Sequence, residues 1–239
     1  IGLRCPAHPA AQAVLHALRA LGNEAAPAQP VVWGIAAPSA NRFGRVSPTT
    51  AAHVQDELGA DLLVLDGGPC NLGIESTIID CTRGAPVLLR PGTLARERIQ
   101  QVCGCRLLSK EEQNSEVLRG LTAPKASGTL ESHYAPNAKV RLMDAPALQA
   151  AVDMLGTVML PGGSDATASI AIYARTPLKK VPLAVTLRRM PDDADATAHQ
   201  LFAVLRALDA TGVKLIWVET PPDSPEWEGV RDRLQRAAA

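Results

Sequence analysis

Aromatic rings are scarce in this chain of 239 residues: three Trp, two Tyr and two Phe, 3% of the total. So few rings argue against a protein that binds single-stranded nucleic acid by stacking base after base. Net charge is missing too. The 24 Lys and Arg balance 24 Asp and Glu, which disfavours a strong non-specific binder of nucleic acid or of an anionic membrane surface. No apolar run approaches the ~20 residues that a membrane-spanning helix needs, and no leader peptide is visible. Neither a Gly-x-x-x-x-Gly-Lys-Ser/Thr loop nor a Gly-x-Gly-x-x-Gly fingerprint occurs, so two common glycine-rich phosphate cradles are absent. Five cysteines, Cys5, Cys70, Cys81, Cys103 and Cys105, include no Cys-x-x-Cys pair. Cys103-x-Cys105 lacks the second half of a zinc set, so reduced thiols in a cytoplasmic protein, with no metal centre, are expected.

What is present is a 46% hydrophobic chain, enough to build a core in one large domain or two ordinary ones. It opens Ile1-Gly2-Leu3-Arg4 without a Met, and the expectation is a piece of a longer protein. Apolar spacing predicts a helix over 9–21, closed by Gly22. Short apolar runs predict buried strands at 31–37 and 62–65, with Trp33 in the core. A helix capped by Thr49 or Thr50 is expected through Leu58, closed by Gly59. Strands are expected at 76–80 and 86–89 around an Arg83-Gly84 turn, then a helix over 96–102. Residues 109–136 turn polar and lose periodicity, the signature of a linker. Beyond it, strands at 140–143, 157–160, 170–174, 186–190 and 213–218 alternate with helices at 145–155, 192–210 and 225–238. That order implies a mostly parallel sheet.

Four polar clusters each sit beside an apolar run and read as loops of one site. Pro38-Ser39-Ala40-Asn41 with Gly44 and Ser47-Pro48-Thr49 supplies short donors for phosphate oxygens or a ribose, or simply a hydroxyl-stabilised turn. Arg4 and Arg90 lie in or next to strands, where a guanidinium either grips a carboxylate or phosphate or faces water. Gly73-Ile74-Glu75-Ser76-Thr77 offers hydroxyls to a ligand and a carboxylate for base or metal work, or a capped strand start. Tyr134, in the linker, either closes over a ligand as a lid or anchors the segment. Gly67-Gly68 and Pro161-Gly162-Gly163 read as turns. The remaining histidines, His8, His16, His53 and His199, read as surface or packing residues.

In combination, Pro38-Ser-Ala-Asn41, Ser47-Pro-Thr49, Gly73-Ile-Glu-Ser-Thr77, Leu88-Leu-Arg-Pro-Gly92 and Ser132-His-Tyr-Ala-Pro136 resemble the two-domain threonylcarbamoyl-AMP synthases. The resemblance implies an α/β fold: a YrdC-like twisted-sheet domain, here partial, over 1–108, a linker and lid over 109–137, and a smaller Rossmann-like parallel α/β domain over 138–239. It implies condensation of L-threonine, bicarbonate and ATP, with Mg2+, into threonylcarbamoyl-AMP and pyrophosphate. Downstream threonylcarbamoyl-transferase proteins would then pass the group to tRNA. Arg4, Ala37 and Ser76 would bind threonine; Ser39, Asn41, Ser47, Arg90 and Tyr134 would bind ATP. The family's earlier threonine-binding strand and its Lys-x-Arg motif have no counterpart here, so the fragment alone is expected to be inactive. Thr129-Leu130-Glu131 stands where the family more often has a basic residue. Two other readings are an RNA-binding or tRNA-handling module without adenylation and a carbamoyl-transfer domain of the hydrogenase-maturation type.

Overall fold

The structure, a computed structural model, describes residues 2–24, 32–82, 84–109, 112, 126, 128, 133–158 and 169–239. Val31, Arg83, most of the linker including 129–132, residues 159–160 and Pro161-Gly162-Gly163 lie outside the described residues.

Helix α1 (Pro9–Glu24) runs past Gly22, the expected stop. Helix α2 (Ala51–Leu58) follows the Ser/Pro-rich bend. The Thr50 hydroxyl caps it by accepting from the His53 N–H, and Gly59 closes it at φ 100°, as its composition dictates. Strands β1 (Ile78–Asp80) and β2 (Val87–Arg90) form an antiparallel pair, and α3 (Arg96–Cys103) follows.

Two expected strands are absent. Residues 32–37 and 62–65 carry no strand, and Val32, Trp33, Ile35, Leu62, Leu63 and Leu65 are exposed. An apolar run becomes a strand only where a neighbour takes up its N–H and C=O groups, and no described strand runs beside these two. Trp33, 75% exposed rather than buried, lies under the Arg19 guanidinium at 4.7 Å.

The later part of the chain is a regular layered α/β unit. Four parallel strands, β3 (Lys139–Met143), β4 (Ile170–Ala174), β5 (Thr186–Arg189) and β6 (Leu215–Glu219), stand in the order β3-β6-β4-β5. Alternation along the strands sorts their side chains onto two faces. Val140, Ala171, Tyr173, Ile216 and Val218 join the core with α5 (Ala194–Asp209) and α6 (Glu228–Ala238). Ile170, Ile172 and Ala174 join Leu148 and Val152 of α4 (Ala145–Val158), with Trp217 packed against them. Thr157 and Val158, expected in a strand, are the last turn of α4. Both residues are β-branched and so favour a strand, but the helix before them continues through both.

A short 3-10 turn, Pro225–Trp227, leads into α6 and buries Trp227. Asp193 caps α5, accepting from the Ala196 N–H at 2.7 Å. Tyr173 is fully buried; its hydroxyl accepts from Gln200 at 3.0 Å, and burial pushes the phenol up to about 12.

Helices α5 and α6 also lean on the earlier half. A Cβ on Gly229 would stand 2.7 Å from the Gly92 carbonyl oxygen, and a Cβ on Gly73 would run into the Ala198 and His199 carbonyls. The two halves therefore meet backbone to backbone, which only glycine permits.

Candidate functional site

A cleft of about 370 Å³ opens where the bend before α2, the segment before β1, the end of β2 and the end of the linker meet. A cavity of that size suits a small ligand. Arg4, Ser39, Ser47, Arg90 and Tyr134 all line it, joined by Thr49, Thr50, Asp66, Gly67, Gly68, Cys70, Glu75, Gly128 and His133. Ala37, Asn41 and Ser76 are not among its lining residues. Ala37 is exposed. Asn41 braces the bend from within, its amide donating to the Arg42 and Arg45 carbonyls at 3.0 Å each. Ser76 is exposed, and its carbonyl accepts from Arg90 Nε at 3.1 Å.

Local sequence explains these positions. Arg90 ends β2, a strand buried along its length, so its guanidinium is 3% exposed yet reaches the cleft. Burial presses its pKa below the ordinary arginine value, while Tyr134 and Glu75 pull the other way. Tyr134, read from the sequence either as a lid or as an anchor for the linker, lies in the wall of the cleft. It is 1% exposed, 5.2 Å from the Phe202 ring, with the Arg233 guanidinium 5.4 Å from its own ring. Its φ of 63° is left-handed, an unfavourable conformation for a bulky residue that concentrates at functional sites. Gly128, at φ 70°, lies against the Tyr134 hydroxyl and the Arg90 guanidinium, leaving no space for a side chain. Burial raises the Tyr134 phenol pKa, with Glu75 adding to the rise and Arg233 and Arg90 opposing it. Cys70 is likewise raised, by burial and then by Glu75.

Three further side chains, of which only Glu75 was singled out in the sequence, complete the construction. Glu75 accepts from the Ser47 hydroxyl and, at 3.0 Å, from Arg233 Nε. Arg233, on α6, is fully buried and also donates to the Glu75 and Pro91 carbonyls, at 3.1 and 2.6 Å. Arg206, on α5, donates to the Val46 carbonyl, to the Ser47 carbonyl at 3.2 Å and to Glu57 at 2.8 Å. The signal for Arg233 was available in the sequence. It falls on the apolar stripe of its helix, with Gly229, Val230, Leu234 and Ala237, where a charge needs partners. Arg206 carried no such mark, because a cation in the last turn of a helix is ordinary. Among the described residues, no group of three or more His, Cys, Asp or Glu stands ready for a metal ion.

Two histidines make stability depend on pH. His53 Nδ1 accepts from the Thr49 N–H at 3.2 Å, and burial, then Arg206, lowers its pKa below 6.5. Burial likewise lowers His133. As pH falls below 6.5, the unfolded chain takes up protons before the folded one does, so folding weakens. Thermal melting is expected to stay level above 6.5 and to decline below it; a double His53→Gln, His133→Gln variant should lessen that decline.

The later part of the chain, residues 94–239, matches the family model described as threonylcarbamoyl-AMP synthase, C-terminal domain. Residues 1–92 match the model described as telomere recombination. A threonylcarbamoyl-AMP synthase of Pyrococcus abyssi is 33% identical over 208 residues, covering 85% of this chain and 57% of that protein. One from Bacillus subtilis is 29% identical over 246 residues, covering 100% of this chain and 63% of that protein. The chain thus spans about three fifths of the length of these relatives. The crystal structure of P. abyssi Sua5 complexed with L-threonine superimposes with a TM-score of 0.66 at 29% identity, covering 84% of this chain and 56% of that one. No helix among the described residues is long and apolar enough to cross a membrane.

Proposed function

The chain belongs to the threonylcarbamoyl-AMP synthase family, and from this we propose that the intact protein condenses L-threonine, bicarbonate and ATP into L-threonylcarbamoyladenylate, releasing pyrophosphate. In this reading the product feeds threonylcarbamoyl-transferase proteins that modify tRNA in the cytoplasm. Residues 1–108 and the linker 109–137 serve the catalytic cleft, and 138–239 form the second domain.

The observation that carries the reading is the shared cleft. Two guanidinium groups, Arg4 and Arg90, from segments far apart in the chain, and the hydroxyls of Ser39 and Ser47, from one bend, line one cavity. The reaction brings together two anions. Bicarbonate first carboxylates the threonine amine with loss of water. A carbamate oxygen then bonds to the α-phosphorus as the bond to the β-phosphate oxygen breaks, and pyrophosphate departs with the electron pair. A site for that step needs fixed positive charge and aligned donors, here Arg4, Arg90 and Ser39, more than a covalent nucleophile.

In this scheme Arg4 holds the threonine carboxylate, with Ala37 and Ser76 beside the amino acid. Ser39, Ser47 and Arg90 hold ATP, Asn41 keeps the bend in shape and Tyr134 walls the nucleotide in. Magnesium enters as part of the substrate, Mg·ATP, carried by its phosphates. Of the carboxylates lining the cleft, Glu75 has both oxygens taken up, by Ser47 and Arg233, so it does not read as a resident metal ligand.

The test is pyrophosphate release by the intact protein. Release is expected only when ATP, threonine and bicarbonate are all present, and omission of either co-substrate should return it to background. Release indifferent to threonine, or RNA retention at moderate salt without turnover, would overturn the reading.

A further inference from the structure

The geometry points to Arg233 as a positioning residue of the nucleotide cleft, acting through Glu75 on Ser47. The inference rests on the ATP reading above and adds a role for a helix that does not line the cleft's floor.

The chain of contacts is continuous. Arg233 Nε donates to Glu75 Oε2 at 3.0 Å, Nη2 to the Glu75 carbonyl at 3.1 Å and Nη1 to the Pro91 carbonyl at 2.6 Å. The other carboxylate oxygen, Glu75 Oε1, accepts the Ser47 hydroxyl. Both ends are secluded: the Arg233 side chain is fully buried and Ser47 is 8% exposed. A planar guanidinium with five donors fixes a carboxylate in orientation as well as in charge. Glu75 is therefore held in one orientation on the cleft wall, and its second oxygen stays aimed at Ser47.

The chemical consequence lies at Ser47. A hydroxyl has one proton and two lone pairs. With the proton given to Glu75, the oxygen has only acceptor capacity left for a ligand. Ser47 is thereby set to meet an O–H or N–H of the nucleoside, such as a ribose hydroxyl, and not a phosphate oxygen. The phosphates belong to the cationic side of the cleft, at Arg90. Arg206 fixes the same bend from behind through the Val46 and Ser47 carbonyls, so orientation of the hydroxyl is what remains for Arg233 to set.

The test is a double-mutant cycle on ATP affinity in the intact protein, by calorimetric titration, with thermal melting alongside. Ser47→Ala and Arg233→Lys are each expected to weaken ATP binding by about tenfold, the scale of network couplings. The double variant should be no weaker than the worse single one, because lysine keeps the charge but loses the fork that orients Glu75. ATP affinity unchanged in Arg233→Lys, or losses that multiply in the double variant, would overturn the relay while leaving ATP binding intact. In that case Arg233 would only brace the fold, and melting alone would shift. Wild-type protein with no ATP affinity would overturn the underlying reading, and the relay with it.

Discussion

Arg90→Ala is expected to lower kcat/KM for ATP by roughly 10²–10³, the loss that follows removal of one fixed donor to developing charge. Arg90 combines three properties. Its side chain sits at the end of a strand buried throughout, it opens into the cleft, and its Nε is tied to the Ser76 carbonyl. A guanidinium held that way meets a phosphate without first being immobilised, so the ordering cost is already met in folding. Arg90→Lys should recover only part of the loss. Lysine restores the charge, but a single ammonium cannot both hold the Ser76 carbonyl and present a two-pronged face to a phosphate. Steady-state pyrophosphate release over a range of ATP concentrations, on protein shown to melt normally, is the measurement. Turnover within a few-fold of wild type in Arg90→Ala would remove Arg90 from the nucleotide site.

Gly73→Ala is expected to destabilise the fold by roughly 3 kcal/mol, the sum of a left-handed backbone penalty and overpacking. For a protein of this size that is a fall in melting temperature of roughly 6–12 °C. Gly73 has φ 74°, and an added Cβ would meet the Ala198 and His199 carbonyls, which belong to the backbone of α5 and cannot rotate away. Gly104→Ala separates the two contributions. Gly104 has φ 67° as the C-cap of α3, but a Cβ there meets nothing within 4 Å. That variant should lose only about 1–2 kcal/mol, the backbone penalty alone. Equal losses in both variants would mean that α5 shifts to accommodate the methyl group, and that the contact between the halves yields.

The parallel unit was legible in the sequence because its signals are local. Short apolar runs at 170–174 and 215–218, spaced by the helical stripe Ala198, Leu201, Phe202, Leu205, Leu208, give the strand–helix–strand order that brings parallel strands side by side. Strands at 31–37 and 62–65 were misread because pairing is not local: composition declares that a run is apolar, not that a partner lies alongside. The cleft was legible for a related reason. Short polar loops flanked by apolar runs mark places where the backbone leaves a core, and five of the eight expected ligand-binding residues share one cavity. Ala37, Asn41 and Ser76 lie next to lining residues along the chain, and adjacency in sequence does not settle which side chain turns inward. Arg206 and Arg233 were missed because they act on the cleft from more than 130 positions away, a juxtaposition that only the packing of α5 and α6 on the earlier half creates.

The strand order β3-β6-β4-β5 has a consequence for synthesis. β6 comes last of the four in the chain yet sits between β3 and β4, and among the described residues β3 has no other neighbour in its ladder. A nascent polypeptide leaving the ribosome therefore holds a gapped ladder until residues 215–219 emerge and slot into the middle. Such late, long-range pairing leaves strand edges open while translation continues. The helix bearing Arg233 follows only after that strand, so the cleft acquires its last support once the gap has closed.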